Sequence, residues 1–417
     1  MRQDDGIGCV TVGRTREAGE ERIPFARVVW PFAIAETLVW ACYYYSFPAL
    51  LPTWEADLGF SKTTLTGAFT LSLIVSAVLA PAAGRMIDRG RGRLVFAGGA
   101  ALSSVMLFLL SQVTEVWQFY ILWFFIGVGM AGSLYEPCFA ILTHSMGSRA
   151  RRAIILVTLA AGFAGTVSFP SAHILNGLLG WRGTVTVFAL VVLLICVPLI
   201  LYGCHYANQN ARRSAPKASV DARATMAVMR TPTFWMIGIA FTLLALDHGL
   251  VVSHMLPIMA DRGLGEDMAV FAASMFGPMQ VAGRLVMIAA ERHVSVLAIC
   301  CACFLSMSFA GTSVYLATSA ALLIIPFVVL QGAGAGVLSI IRPTVVAELL
   351  GRKDFGVISG TLAIGFVAGS ALAPTVASLV WRVGGYDLVL MLTIAIPLVA
   401  LVSIIAAWRL RRPIASD

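Results

Sequence analysis

Apolar residues run along this 417-residue chain in long uninterrupted blocks rather than in alternating or one-faced patterns. A helix needs about 20 apolar residues to cross the hydrocarbon of a bilayer. Twelve stretches meet that length: 26–51, 63–84, 94–112, 117–142, 153–178, 184–206, 233–259, 267–290, 294–314, 319–342, 355–380 and 387–408. The longest polar interval, 207–232, falls at the midpoint and carries Arg212, Arg213, Pro216, Lys217, Arg223 and Arg230. The pattern predicts an all-α membrane protein of 12 transmembrane helices, with six-helix bundles at 25–206 and 233–410 joined by a cytoplasmic linker loop, 207–232. Residues 1–24 lack an apolar core, so they read as a cytoplasmic tail rather than a signal peptide, and 411–417 form a short tail at the other end.

Composition supports this reading: 59% of the residues are apolar and only 12% charged, about half the charged share of soluble domains. The net charge of +8 taken alone would fit an anionic partner, but its distribution points to the bilayer. With both termini cytoplasmic, the inner segments beyond the N-terminal tail hold 18 Lys and Arg. The outer loops hold four: Lys62, Arg182, Arg262 and Arg382. This is the positive-inside asymmetry, and it removes the need for a nucleic-acid partner. The eight cysteines lack disulfide spacing, and Cys300, Cys301 and Cys303 have no His or carboxylate beside them on their helix, so packing rather than a metal site is expected. Gly332-Ala333-Gly334 lies in a membrane helix with no strand before it, which rejects a dinucleotide fingerprint. Neither a cofactor nor ATP is expected, nor enzymatic chemistry. The driving force would be an ion or substrate gradient.

The two bundles resemble each other at a shift of 206 residues: Tyr135-Glu136-Pro137 precedes Arg149–Arg152 as Ile341-Arg342-Pro343 precedes Arg352-Lys353. Internal repeats are a transporter feature, because one half can rock against the other around a central site. Gly84-Arg85-Met86-Ile87-Asp88-Arg89-Gly90-Arg91-Gly92-Arg93 follows the second stretch and resembles the loop 2–3 motif of the major facilitator superfamily. Tyr44-Tyr45-Ser46-Phe47-Pro48 is similar to the helix-1 motif of monocarboxylate transporters. Gly283-Arg284 is similar to the helix-8 arginine shared by those carriers and bacterial oxalate:formate antiporters, and Ser253–Pro257 with Asp261-Arg262-Gly263 resembles the helix-7 end of bacterial members. There are departures. Ala49 stands where mammalian carriers have lysine, Gln280 where they have aspartate, and 355–380 holds no cation where the oxalate antiporter has one. The resemblance implies a carrier of small organic monoanions such as lactate or pyruvate in a bacterial inner membrane, working as a monomer.

Arg284 carries the sharpest expectation. A guanidinium in mid-membrane costs about 2.5–3.5 kcal/mol or more and needs a partner or a wet cavity. Its fork matches a carboxylate bidentately, and no acid lies one helical turn away, where Gln280 and Ile288 stand. Other candidate substrate contacts are His254, Gln280, Gln331 and the aromatics Trp123, Tyr44 and Tyr120; the aromatics could equally be packing or interfacial residues. Candidate proton carriers are Asp247, His254 and Glu36, against the alternatives of an Asp247–His248 pairing and a neutral His254 satisfied by a carbonyl. Arg85, Asp88, Arg89, Glu136, Glu291 and Arg342 form a candidate conformational gate. The repeat exchanges the sign of Arg85 with Glu291 and of Glu136 with Arg342, so Arg85–Glu136 and Glu291–Arg342 contacts are expected within each half. The expected function is proton symport of a monocarboxylate by alternating access. The alternatives are proton-independent anion exchange and a non-transporting sensor on the same fold.

Overall fold

The computed structural model describes residues 25–207, 222–318, 320–351 and 355–411. The expected tail 1–24, linker residues 208–221, Arg352-Lys353 and all but the first residue of the tail 411–417 lie outside the described residues. Among the described residues the regular structure is helical throughout. Hydrocarbon offers backbone groups no partner, so a spanning segment must satisfy them internally, as a helix does.

Nine helical spans among the described residues are long and apolar enough to cross a membrane. Three of them, of 49, 58 and 52 residues, are more than twice the ~20 needed for one crossing. Each of these is broken inside, at Gly90 (φ 81°), Gly180 (φ 66°) and Gly384–Gly385 (φ 66° at Gly385). Left-handed φ at such a turn favours glycine, which has no β-carbon to clash. Numbered on either side of the breaks, the segments are α1 Phe25–Leu58, α2 Lys62–Met86, α3 Gly92–Leu110, α4 Val116–Met146, α5 150–179, α6 181–207, α7 Pro232–Ser253, α8 Glu266–Ala290, α9 Val296–Tyr315, α10 Ile324–Leu350, α11 355–383 and α12 386–409. Local sequence marks several starts: Ser61, Thr231 and Ser295 cap α2, α7 and α9 through their hydroxyls, and Glu115 and Gln118 cap α4 reciprocally.

Each half has its own core. In α1–α6, Phe47, Trp54, Phe69, Phe119 and Trp123 interlock, with Phe47 and Phe69 stacked at 4.3 Å. In α7–α12, Phe241, Phe304, Met307 and Leu338 pack together. The halves meet chiefly at the end opposite the basic α2–α3 turn, called here the far end. Thr66 donates to Ser378 (2.9 Å), Thr375 to Thr70 (2.8 Å) and Lys62 to the Tyr386 hydroxyl (3.1 Å). His173 on α5 reaches both Glu266 (3.2 Å) and Asp267 (2.9 Å) at the start of α8. Deeper in, Thr166 donates to the Ser274 carbonyl at 2.6 Å.

Candidate functional site

Gly283 brings α8 against α10: a β-carbon there would stand 2.4 Å from the Ala333 carbonyl oxygen. Gly336 does the same from the other side, against the Gln280 backbone. This close approach sets Arg284 at the junction of three helices. Its side chain is buried, at 6% exposure. Nη1 donates to the Thr158 carbonyl of α5 at 2.6 Å, and Nε to the Gly336 carbonyl of α10 at 3.4 Å. The Thr158 carbonyl also takes the Gly162 N–H. Among the described residues no carboxylate makes an ion pair with Arg284. The guanidinium therefore ties the two halves together through one neutral carbonyl, that of Thr158.

An aromatic wall from α1 and α4 faces it. Within α1 the residues Ala41–Tyr45 form a π-turn, an irregularity often found at functional positions. Trp40 packs on Tyr44 (5.1 Å) and on Tyr135 (4.8 Å), Tyr44 meets Tyr45 edge-on (5.3 Å), and Tyr135 stacks on Phe139 (5.0 Å). The Tyr45 hydroxyl turns to the Gln280 side chain, one helical turn from Arg284. Tyr135 lies within electrostatic reach of both Arg284 and Glu36. The arrangement suits an anionic head on Arg284 with an apolar body against the rings.

Two acids are wholly buried, one on the first helix of each half. Asp247 Oδ2 accepts from Gln331 Nε2 at 3.1 Å, while Oδ1 has no partner. Glu36 makes no well-formed hydrogen bond on either oxygen; the Trp40 indole N–H and the Cys138 thiol stand beside it. Glu136 is exposed in the first turn after α4 breaks at Leu134.

Several residues sit elsewhere than the sequence predicts. Gln331 is tied to Asp247 rather than offered to a ligand, and it replaces His248 as the partner of that acid. His254 is buried at the far end, where its ring meets the Tyr386 hydroxyl (3.1 Å) and the Pro374 carbonyl (3.2 Å). It shares no contact with Arg284, because α7 ends at Ser253 and turns the ring toward α11 and α12. Trp123 belongs to the core of the first half. Tyr120 rests its hydroxyl against Gly67 of α2. The expected Arg85–Glu136 and Glu291–Arg342 ion pairs are absent among the described residues. Arg85, Arg89 and Glu291 are exposed, where hydration competes with a fixed ion pair. Asp88 instead meets His144 of α4 at 2.9 Å. Glu136 and Arg342 feel each other's charge across the halves, with the Arg342 guanidinium over the Phe366 ring at 4.2 Å. Sequence reasoning missed the roles of Trp40, Tyr45, Tyr135 and the Lys62–Tyr386 contact. The Trp40/Tyr44 spacing of one helical turn was the available signal for the wall.

Comparison with known proteins places this architecture. The Major Facilitator Superfamily profile matches residues 32–325. An uncharacterized 38 kDa protein in the 23S RNA operon of Thermoproteus tenax is 27% identical over 380 residues, covering 90% of this chain and 94% of that one. An MFS-type efflux pump of Mycolicibacterium smegmatis is 28% identical over 285 residues, 60% of this chain and 65% of the pump. Among solved structures, a bacterial homologue of the human lysosomal transporter Spinster, inward-facing and occupied, superposes with a TM-score of 0.68 at 14% identity, over 93% of this chain and 98% of that one. The chain is a multi-pass membrane protein and belongs to the Major Facilitator Superfamily of transporters.

Proposed function

We propose that the protein is a secondary active transporter of a small organic monoanion, a lactate- or pyruvate-like monocarboxylate, moved with a proton by alternating access. The observation that carries this reading is Arg284: a buried guanidinium at the meeting of the halves, beside an aromatic wall and without an acid. A substrate carboxylate is a stronger partner than a neutral carbonyl. It competes with Thr158 for the guanidinium and so loosens a bond that joins the halves. Ligand binding and rearrangement are thereby linked through one side chain. Asp247 is the proton site: a buried acid beside Gln331, with one oxygen unpartnered. Taking up the proton lowers the cost of occluding charge in a dry interior.

In this reading the chain crosses a bacterial inner membrane twelve times, with the basic α2–α3 turn and both termini cytoplasmic. The contacts at the far end then close the outer face, which corresponds to an inward-facing state. The deciding experiment is uptake of radiolabelled L-lactate and a panel of other small organic acids into liposomes holding the purified protein, with and without an inward proton gradient. Gradient-driven accumulation that disappears in Arg284→Ala supports the proposal. Accumulation unchanged in that variant refutes it, and counterflow indifferent to pH replaces symport with exchange.

A further inference from the structure

We propose that a groove between α3 and α6, beside the basic α2–α3 turn, holds an anionic phospholipid, with its phosphate on Arg91 and Arg93 and an acyl chain along α3. The two arginines, with Leu94, Ala97 and Gly98 of α3 and Leu201 of α6, line a single groove of about 420 Å³, within the roughly 300–1,000 Å³ of small-molecule sites. Arg91 and Arg93 are exposed, and neither makes an ion pair with a described residue. Other basic residues of this end are engaged: Arg149 and Arg152 lie over the Phe25 ring and Arg27 over Tyr206. The acid of the same turn, Asp88, meets His144 of α4. The groove therefore carries two positive charges and has no acid among its lining residues. A β-carbon at Gly92 would stand 3.1 Å from the Ile141 side chain of α4. That position is turned inward, and the arginines on either side of it are left at the surface.

The groove lies where a lipid can enter it. Both α2 and α3 are apolar spans, so the turn between them stands at a membrane surface, the level of the headgroup phosphates. A guanidinium matches a phosphate through two parallel N–H···O bonds. From the arginines one exposed face of α3 continues through Leu94, Gly98, Val105 and Phe108. From Leu94 to Phe108 the helix rises about 21 Å, more than the ~15 Å of hydrocarbon in one leaflet. At Gly98 no atom stands within 4 Å of where a β-carbon would be, so the floor of the groove is open. A soluble anion would use the arginines and leave this apolar track bare, whereas a phospholipid uses both. A zwitterionic headgroup brings its own ammonium against the arginines, which favours an anionic one. Both walls belong to the first half, so the site stays intact while the halves rock.

The test is lipid binding to the delipidated full-length protein in detergent, followed by native mass spectrometry with phosphatidylglycerol and, separately, phosphatidylcholine of the same acyl chains. The first phosphatidylglycerol binds about 25-fold more tightly than phosphatidylcholine. Arg91→Gln and Arg93→Gln each weaken it about fivefold, as the loss of one basic residue at a membrane surface requires, and together they bring it to the level of phosphatidylcholine. Arg151→Gln with Arg409→Gln removes the same charge from exposed positions outside the groove and leaves that first lipid within about twofold. Gly98→Phe fills the open floor without changing charge and weakens phosphatidylglycerol at least about fivefold. Equal binding of the two lipids overturns the proposal, as does binding that survives loss of both groove arginines. An equal loss in the Arg151/Arg409 variant would show a general charge effect and overturns it too. Binding untouched by Gly98→Phe, or displaced by millimolar sn-glycerol 3-phosphate, would leave a headgroup or soluble-anion contact and no lipid groove.

Discussion

Lys62 gives the most direct test of how the far end stays closed. The Pro374 carbonyl can only accept, so His254 Nε2 donates to it and Nδ1 accepts from the Tyr386 hydroxyl, whose oxygen in turn accepts from Lys62 Nζ. The same ammonium stands 4.0 Å from the centre of the Trp381 ring. Its contact with Glu55, at 3.6 Å, stays within one half and survives opening. Only the contacts across the halves therefore bias the equilibrium. A desolvated cation–π contact contributes about 2 kcal/mol, and a hydrogen bond from a charged donor about 1.5 kcal/mol. Sharing one cation between them, the loss in Lys62→Ala is about 3 kcal/mol, or roughly a hundredfold in population. A protein closed at the far end about 99 times in 100 becomes closed about half the time. Spin labels at the exposed positions Trp117 and Leu322, one on each half at the far end, in a cysteine-free background, read this as a second, longer distance of comparable weight. Lys62→Arg keeps the cation and most of the short distance. An unchanged distribution in Lys62→Ala would refute the latch.

Two further outcomes follow from the geometry. Gly283→Ala puts a β-carbon within 2.4–2.8 Å of three Ala333 backbone atoms, which cannot swing aside as a side chain can. The strain of overpacking, about 1–3 kcal/mol, should lower the thermal midpoint by a few degrees and weaken substrate binding with it; a variant of normal stability and affinity would show that α8 and α10 are not held at this distance. Asp247→Asn can still accept from Gln331 but cannot carry a proton. It should abolish gradient-driven accumulation while leaving counterflow intact, and accumulation persisting in that variant would move the proton site elsewhere.

The helical blocks were legible because length alone tells a membrane span from a soluble element, and the turn at Gly90 was marked by its basic surroundings. Arg284 was legible for a related reason: a lone cation in an apolar run has no bland explanation from its own helix. What the sequence withheld was pairing. His254 finds Tyr386 at a separation of 132 residues and Asp247 finds Gln331 at 84, and no local pattern links either pair. The facing of Trp123 was equally hidden, since α4 around it is apolar on every side and gives no preferred face. The π-turn at Ala41–Tyr45 advances the register, so the tyrosine nearest Gln280 is Tyr45 rather than Tyr44.

The residues expected to form a gate mark where reading by repeat stops. Equivalent positions at a shift of 206 residues carry Glu136 and Arg342. That symmetry can be met in two ways: by partners within each half or by partners across the halves. Arg85 and Glu291 take neither, because at the basic end they remain in water, where an ion pair gains little. Glu136 and Arg342 stand further in and sense one another across the divide. A pair across the halves changes length when the halves rock, whereas a pair within one half does not. Only the former can distinguish one state of the cycle from the other. In the present state Arg342 rests on Phe366 and Glu136 is exposed, so the pair is apart where closing of the basic end would bring it together.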